Sequence, residues 1–307
     1  MMLRLYITFL ITLVSIMAEP IIPIPTTIEY DKEKALLGKR LFLDTGLSKD
    51  KKVACATCHN FKNGADFLPK SFGIMGREGF MNSPTVFNSV FNFRQMWNGA
   101  VKTLKKQVLL PLLNPREMGM TKREIVDYLN SQPIYIKLFD KIYKNKPNID
   151  NMSDAIAEFE KALITPNSPF DQFLRREHNL SPEESNGYTL FKKRGCITCH
   201  NGINVGGNSY QKFGSIKPFK RCQNIKDLYS ITSRPEDKNV FKVPTLRNIA
   251  ITAPYFHHGK IKTLKEAIQI MAIHNLGFRL NDKEISDIEA FLKTLTGETP
   301  AILKEGL

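Results

Sequence analysis

Four of the five cysteines fall in two matching runs, Cys55-Ala-Thr-Cys58-His59 and Cys196-Ile-Thr-Cys199-His200. This is the spacing at which two thiols add across the vinyl groups of a porphyrin while the adjacent imidazole reaches the iron. A bare Cys-x-x-Cys also serves zinc or dithiol chemistry. Two copies that each carry the His point instead to two covalent c-type haems, bound axially through His59 and His200. The fifth thiol, Cys222, stands outside both runs and reads as an inert buried cysteine.

An iron held by one His has a second axial position, and what fills it sets the chemistry. A strong sixth ligand makes an electron carrier, whereas an open position makes a catalyst for small oxidants. For the second haem Met271 is a candidate, since a thioether raises the potential. A core Met on an apolar helix face is the alternative, and His274 and the pair His257-His258 compete for the same role.

The elements that must position these groups read as helices. A helix is expected over Asp31–Phe42, with Ala35, Leu36, Leu37 and Leu41 clustered on one side. Residues 60–92 show little periodicity and much Gly, Asn and Pro, and so form a long loop wrapping one face of the first haem. A short helix is expected from Val101 to Leu110, ending before Pro111. Thr121 and Glu124 form a capping box, and Ser153 is expected to cap the helix that carries Ile156, Phe159 and Leu163. The Thr165-Pro-Asn-Ser-Pro-Phe170 stretch marks the domain junction. Ser181-Pro-Glu-Glu184 starts a helix leading into the second haem run. Thr263 opens a helix that carries Met271, and Asn281 with Glu284 opens the last one. The fold class is all-α with long loops, arranged as two cytochrome c-like domains of one haem each, 19–165 and 166–307. The last helix is allowed to pack back on the first domain.

The chain has 307 residues, 42% of them hydrophobic, which suits two ordinary cores. Its formal charge is +14. No helix-turn-helix, zinc finger or aromatic platform favours nucleic acid. Scattered solvating lysines, steering of an acidic redox protein, or attraction to an anionic membrane remain as readings of the charge. Residues 1–18, with Arg4, an apolar run from Leu5 to Met17 and Ala18, read as a secretory signal. An uncleaved anchor is the alternative, because Ile16 suits cleavage poorly. Export to the periplasm agrees with covalent haem. Ile21–Thr27, with three prolines, reads as an extended linker.

Several ordered motifs resemble the bacterial di-haem cytochrome c peroxidases. They are Leu41-Phe-Leu-Asp44, Leu47-Ser48, Asn82-Ser-Pro-Thr-Val-Phe-Asn88, Met96-Trp-Asn-Gly99, Gln107, Asn114-Pro-Arg-Glu-Met118 and Thr165-Pro-Asn-Ser-Pro-Phe-Asp171. Val243-Pro-Thr-Leu-Arg-Asn248, Ala253-Pro-Tyr-Phe-His257 and Leu264-Lys-Glu-Ala267 before Met271 continue the likeness, which spans nearly everything after Tyr30.

The resemblance implies that hydrogen peroxide is reduced at the haem on His59. It implies that the haem on His200 and Met271 takes electrons from a small donor protein such as a monohaem cytochrome c. Trp97 would lie between the haems and assist transfer; on the residues alone it is an ordinary core Trp. Gln107 and Glu117 would serve the peroxide site, the amide orienting the substrate and the carboxylate moving a proton. Without the motif, Glu117 reads as a solvated surface acid. Family members also hold a calcium ion between domains, for which Asn82 and the carbonyls of Thr252 and Pro254 match. Relatives are often homodimers. One departure matters: Ile74 stands where many relatives place a distal His, and Ile cannot bind iron. The first haem is therefore expected to be open, with Met75 or Met81 as rival weak ligands. Two other functions remain: oxidation of a protein substrate through high-valent iron, as in the methylamine-dehydrogenase maturation enzyme, and plain electron carriage.

Overall fold

Two helical cores lie side by side in the computed structural model, which describes residues 19–220 and 224–306. The expected leader, 1–18, and Cys222 lie outside the described residues. In the first core the helix Lys32–Leu43 opens on Asp31, whose carboxylate accepts from the backbone of Lys34. It buries Ala35, Leu37, Leu41 and Phe42 against the helix Ile149–Lys161. The two backbones touch at Gly38, where a Cβ would sit 2.0 Å from the Ala155 carbonyl oxygen. The second core repeats this crossing. Helix Pro182–Lys193 meets helix Asp282–Lys293 at Gly187, where a Cβ would lie 1.9 Å from the Asp287 carbonyl oxygen. Side chains of Tyr188, Phe191 and Phe291 close the layer between them.

The capping boxes at Thr121, Ser181 and Asn281 form as their sequences predict. Three local readings change. Asn148, not Ser153, caps its helix, because its side chain reaches the backbone of Asn151; Ser153 sits buried one turn inside. Pro111 does not end its helix. Leu104–Gln107 is followed by Leu109–Leu113, and Pro111 lies in the first turn of that second piece, where a missing N–H costs nothing. A helix at Pro133–Tyr143, unanticipated, starts on its own proline. The fold is mostly helical but not purely so: Tyr210–Lys212 pairs antiparallel with Val240–Lys242.

The ends of the chain cross between the cores. Ile21 and Ile24 are each only 1% exposed, and Ile21 belongs to the second core, so the proline-bearing stretch is a packed strap rather than a linker. The last helix packs within the second core, while the tail after it, Ala301–Lys304, returns to the first and buries Ile302 there. The Lys39 ammonium donates to the carbonyls of Ile302 and Leu303, each at 3.2 Å.

A buried ion pair holds the strap to the second half. Arg247 and Asp171, 1% and 0% exposed, meet at 2.8 Å. Arg247 also donates to the carbonyls of Ile22 and Ile203, and Asp171 accepts from Ile24 N and Ser168 Oγ. Beside it Asn88 and Asn248 converge on Thr165 Oγ1, at 2.7 and 3.0 Å.

These asparagines expose an internal repeat. Pro84-Thr85-Val86-Phe87-Asn88 and Pro244-Thr245-Leu246-Arg247-Asn248 occupy equivalent places, and both asparagines have φ of 60°. The bridges Gln95–Val101 and Tyr255–Ile261 follow in register, as do the helix caps Thr103 and Thr263. By the same register Trp97 falls on His257, Gln107 on Ala267 and Pro111 on Met271.

Removing one partner of a buried ion pair leaves the other charge unsolvated, so Asp171→Ala is expected to destabilise the protein by about 3–5 kcal/mol. Denaturant unfolding of the holoprotein measures this; a loss under about 1 kcal/mol would show that the pair is not needed.

Candidate active site between two haem-binding cores

Each Cys-x-x-Cys-His run sits at the edge of its own core. Cys55–Cys58 forms a single helical turn, and the His59 backbone N–H closes it on the Cys55 carbonyl. His59 Nδ1 lies 3.1 Å from the Gly64 carbonyl oxygen. That partner selects the tautomer whose Nε2 lone pair is free for a metal. The second run is a 3-10 turn, Cys196–Thr198, and His200 N closes it on Cys196 in the same way. Burial lowers both imidazoles, His200 to about 4, so both are neutral donors. His200 Nδ1 is buried with no hydrogen-bond partner. Burial likewise raises the thiols, Cys55 to about 12 and Cys196 to about 11. Two thiols and one neutral imidazole per run, at the rim of an apolar core, fit a c-type haem and leave no spare ligand set for zinc: no group of three or more His, Cys, Asp or Glu side chains could hold a metal among the described residues.

The second run opens into a cavity of about 290 Å³ lined by both His200 and Met271. Trp97, Asn82, Thr252 and Pro254 line the same space. Met271 closes the helix Leu264–Met271, just before a π turn over Ala272–Leu276. His274 is not in the lining; its Nδ1 faces the Lys217 carbonyl at 2.8 Å. His257 lines the cavity but is stacked on Phe241 at 4.4 Å. Trp97 Nε1 donates to the Asn82 carbonyl at 2.8 Å, and its ring meets His257 edge-on. Asn82 donates its own amide to the Leu68 carbonyl. The loop over residues 60–92 thus reaches across to the second half, with Asn82 N bonded to the His257 carbonyl and Asn63 Nδ2 to that of Ile251.

At the first run three carboxyls act on the thiols. Besides burial, the charge of Glu160 raises Cys55, and those of Asp66 and Glu117 raise Cys58. Glu117 comes back toward the Gln107 helix because residues 114–120 fold onto Leu109–Leu113, with Met118 N bonded to the Pro111 carbonyl. Burial raises the Glu117 carboxyl, and Asn114 Nδ2 donates to its Oε1 at 2.7 Å. Gln107 Nε2 donates to Glu160 Oε1 at 2.7 Å. Glu160, which the sequence reading passed over, is buried to 3% exposure with Oε2 unpartnered, and burial pushes it up to about 8. An acid on the buried face of an amphipathic helix was the sequence signal available.

The loop carrying Ile74 docks on this site through its backbone, since Ile74 N donates to the Glu117 carbonyl. The Ile74 side chain packs over Gly119, while Met75 is 69% exposed and its N–H is held by Asp50. Met81 packs near Trp97 and Met271 instead.

Residues 32–179 match the family model described as di-haem cytochrome c peroxidase, and residues 184–296 match the one described as cytochrome c. The chain is 44% identical over 285 residues to cytochrome c551 peroxidase of Nitrosomonas europaea, covering 92% of this chain and 85% of that protein. The chain belongs to the di-haem cytochrome c peroxidase family. It is also 40% identical to cytochrome c551 peroxidase of Pseudomonas aeruginosa, over 87% of this chain and 79% of that one. A solved MauG-like protein associated with microbial copper homeostasis superimposes with a TM-score of 0.81 at 29% identity, covering 91% and 93%. As a member of this peroxidase family the enzyme carries two c-type haems on two cytochrome c-like domains.

The buried Glu160 sets a pH dependence on folding. Its folded value of about 8 lies above the ordinary 4.5, so the folded state keeps a proton that the unfolded chain releases. Its contribution is complete below the ordinary value and is lost as pH rises toward 8. The stability of Glu160→Gln relative to the parent is therefore expected to rise between those limits in denaturant unfolding of the holoprotein. A pH-independent difference would show that Glu160 is not held neutral.

Proposed function

We propose that the protein reduces hydrogen peroxide to two waters, using two protons and two electrons drawn from a small redox protein in the periplasm. The single observation that carries the division of labour is the repeat register. The half that holds His59 has Gln107 and Pro111 where the half that holds His200 has Ala267 and Met271. One frame therefore offers polar groups and no sixth ligand, and the other a thioether and no polar group. Cys55, Cys58 and His59 would hold one haem and Cys196, Cys199, His200 and Met271 the other, the thiols on the porphyrin and His59, His200 and Met271 on iron; when bound they would supply a peroxide-binding centre and an electron relay.

The protein's own groups do the rest. Peroxide must lose a proton from the oxygen that binds and gain one on the oxygen that leaves. Glu117 is the shuttle: partial burial holds its carboxyl above the usual range, which favours accepting that proton, and the Asn114 amide fixes one oxygen. Gln107 has its nitrogen committed to Glu160, so its carbonyl oxygen is the acceptor it offers a peroxide O–H. Ile74 contributes no ligand and seals the Glu117 loop instead. Trp97, wedged against His257 in the lining of the second cavity, lies on the route between the two halves. Calcium at Asn82, Thr252 and Pro254 would tie the same loops together; the set holds one amide and two carbonyls, so water would fill the shell. Met271, in place of a tyrosine, weighs against oxidation of a protein substrate.

Glu117→Gln is expected to lower turnover with peroxide by about 10²–10⁴-fold, the usual size of a general acid–base contribution. The parent's acid limb should fall above the ordinary glutamate value and vanish in the variant; turnover within a few-fold of the parent excludes the shuttle.

Electron paramagnetic resonance of the fully oxidised enzyme should show one high-spin and one low-spin ferric haem. Met271→Ala should convert the low-spin signal and lower that haem's potential. Two low-spin signals in the parent would exclude an open first site.

A further inference from the structure

The sequence from Ser185 to Lys226 contains no Asp or Glu, yet holds Lys192, Lys193, Arg194, Lys212, Lys217, Lys220, Arg221 and Lys226. With eight cations and no acid, this stretch carries a net +8 of the chain's formal +14. Every one of these cations among the described residues is exposed. The acids facing them come from the neighbouring helix. Glu284 pairs with Arg194, Asp287 pairs with Lys283, and Asp282 sits at the helix start. Lys193, Lys212, Lys217 and Lys220 have no carboxylate partner among the described residues.

Arg194, Lys212 and Lys217 lie beside an apolar spot. Ile216 is 64% exposed and lies over Gly277, where a Cβ would come within 2.9 Å of its Cγ2. Leu276 lies beside Gly195, and the Arg194 guanidinium covers Phe278 at 5.6 Å. The loop that carries Ile216 is stapled to the π turn after Met271. Ile216 N and Lys217 N donate to the His274 carbonyl at 3.1 and 3.0 Å. Gly214 N donates to Asn275 Oδ1 at 3.0 Å, and Asn275 Nδ2 donates to the Lys212 carbonyl at 2.9 Å. Lys212, Ser215, Asn275 and Leu276 also line the cavity shared by His200 and Met271, so this rigid face is the outer wall of the second haem site.

We propose that this face is the docking platform for the electron donor, and that the donor is a small redox protein with an acidic rim around its own redox centre. The inference rests on the peroxidase reading and names its partner. An apolar centre with a polar rim is the anatomy of a short-lived protein contact. A one-signed ring steers an oppositely charged partner and rejects a like-charged one. The stapled loop binds without an ordering cost. An anionic membrane would use the charge but not a rigid apolar spot against a haem wall.

The test compares two reduced monohaem cytochromes of similar potential, one acidic and one basic, with the holoenzyme at low and high salt. Binding is read by titration calorimetry, turnover by cytochrome oxidation, and a small neutral reductant reports peroxide turnover without docking. The acidic cytochrome should bind at least roughly tenfold more tightly than the basic one at low salt, and lose most of that advantage when salt shortens the screening length. Lys193→Glu and Lys217→Glu, together, should weaken it by about a further tenfold in KM and in the calorimetric Kd, and the milder Lys193→Gln and Lys217→Gln pair by less. Equal binding of both cytochromes, indifference to salt, or indifference to the substitutions overturns the proposal. So does binding to phosphatidylserine vesicles in preference to the acidic cytochrome. Loss of turnover with every reductant, while the acidic cytochrome still binds, would sink the peroxidase reading and leave the platform standing.

Discussion

The structure depends on one buried charge pair, which ties the amino-terminal strap to the second half of the chain. Arg247 and Asp171 meet where water does not reach, so each needs the other and a full set of hydrogen bonds. Those bonds recruit the strap at Ile22 and Ile24, the loop after the second haem run at Ile203, and the junction at Ser168. Thr165, between Asn88 and Asn248, adds a second uncharged tie. The reciprocal crossing of the chain ends reinforces both. A relay between metal centres requires such stiffness, because small changes of separation alter transfer far more than they alter binding.

The internal repeat explains how one architecture can host two unlike irons. The shared frame comprises a glycine helix crossing, a Cys-x-x-Cys-His turn, a Pro-Thr-x-x-Asn turn, a bridged loop and a Thr-capped helix. Within that frame only a few positions need to differ. Pro111 for Met271 removes a thioether. Gln107 for Ala267 adds a hydrogen-bonding amide, and the buried Glu160 holds that amide in place. Function diverges through side chains set on this shared frame.

Charge is divided as unevenly as chemistry. The first site gathers the half-buried Glu117, its carboxyl raised by desolvation, and the buried Glu160, pushed up to about 8. The second lies in a stretch of exposed lysines that includes Lys212 and Lys217. On the proposed reading, buried acids serve proton movement and exposed cations serve encounter, two tasks that electrostatics separates by depth.

The sequence alone determined what is local. The two Cys-x-x-Cys-His runs, the capping boxes at Thr121, Ser181 and Asn281, and Met271 beside an apolar helix face depend on residues a few places apart. The repeat is written in equally short motifs, but its copies lie 160 residues apart, further than the length of either domain. Tertiary structure decided the rest. Whether Ile21 is linker or core depends on a surface that forms far along the chain. Ser153 loses its capping role only because Asn148 has already started the helix. That Glu160 is buried against Gln107, and that Ile216 stands exposed beside a haem wall, depends on distant segments meeting. Composition reports how many acids and apolar groups a chain has, but only packing decides which of them water is kept from.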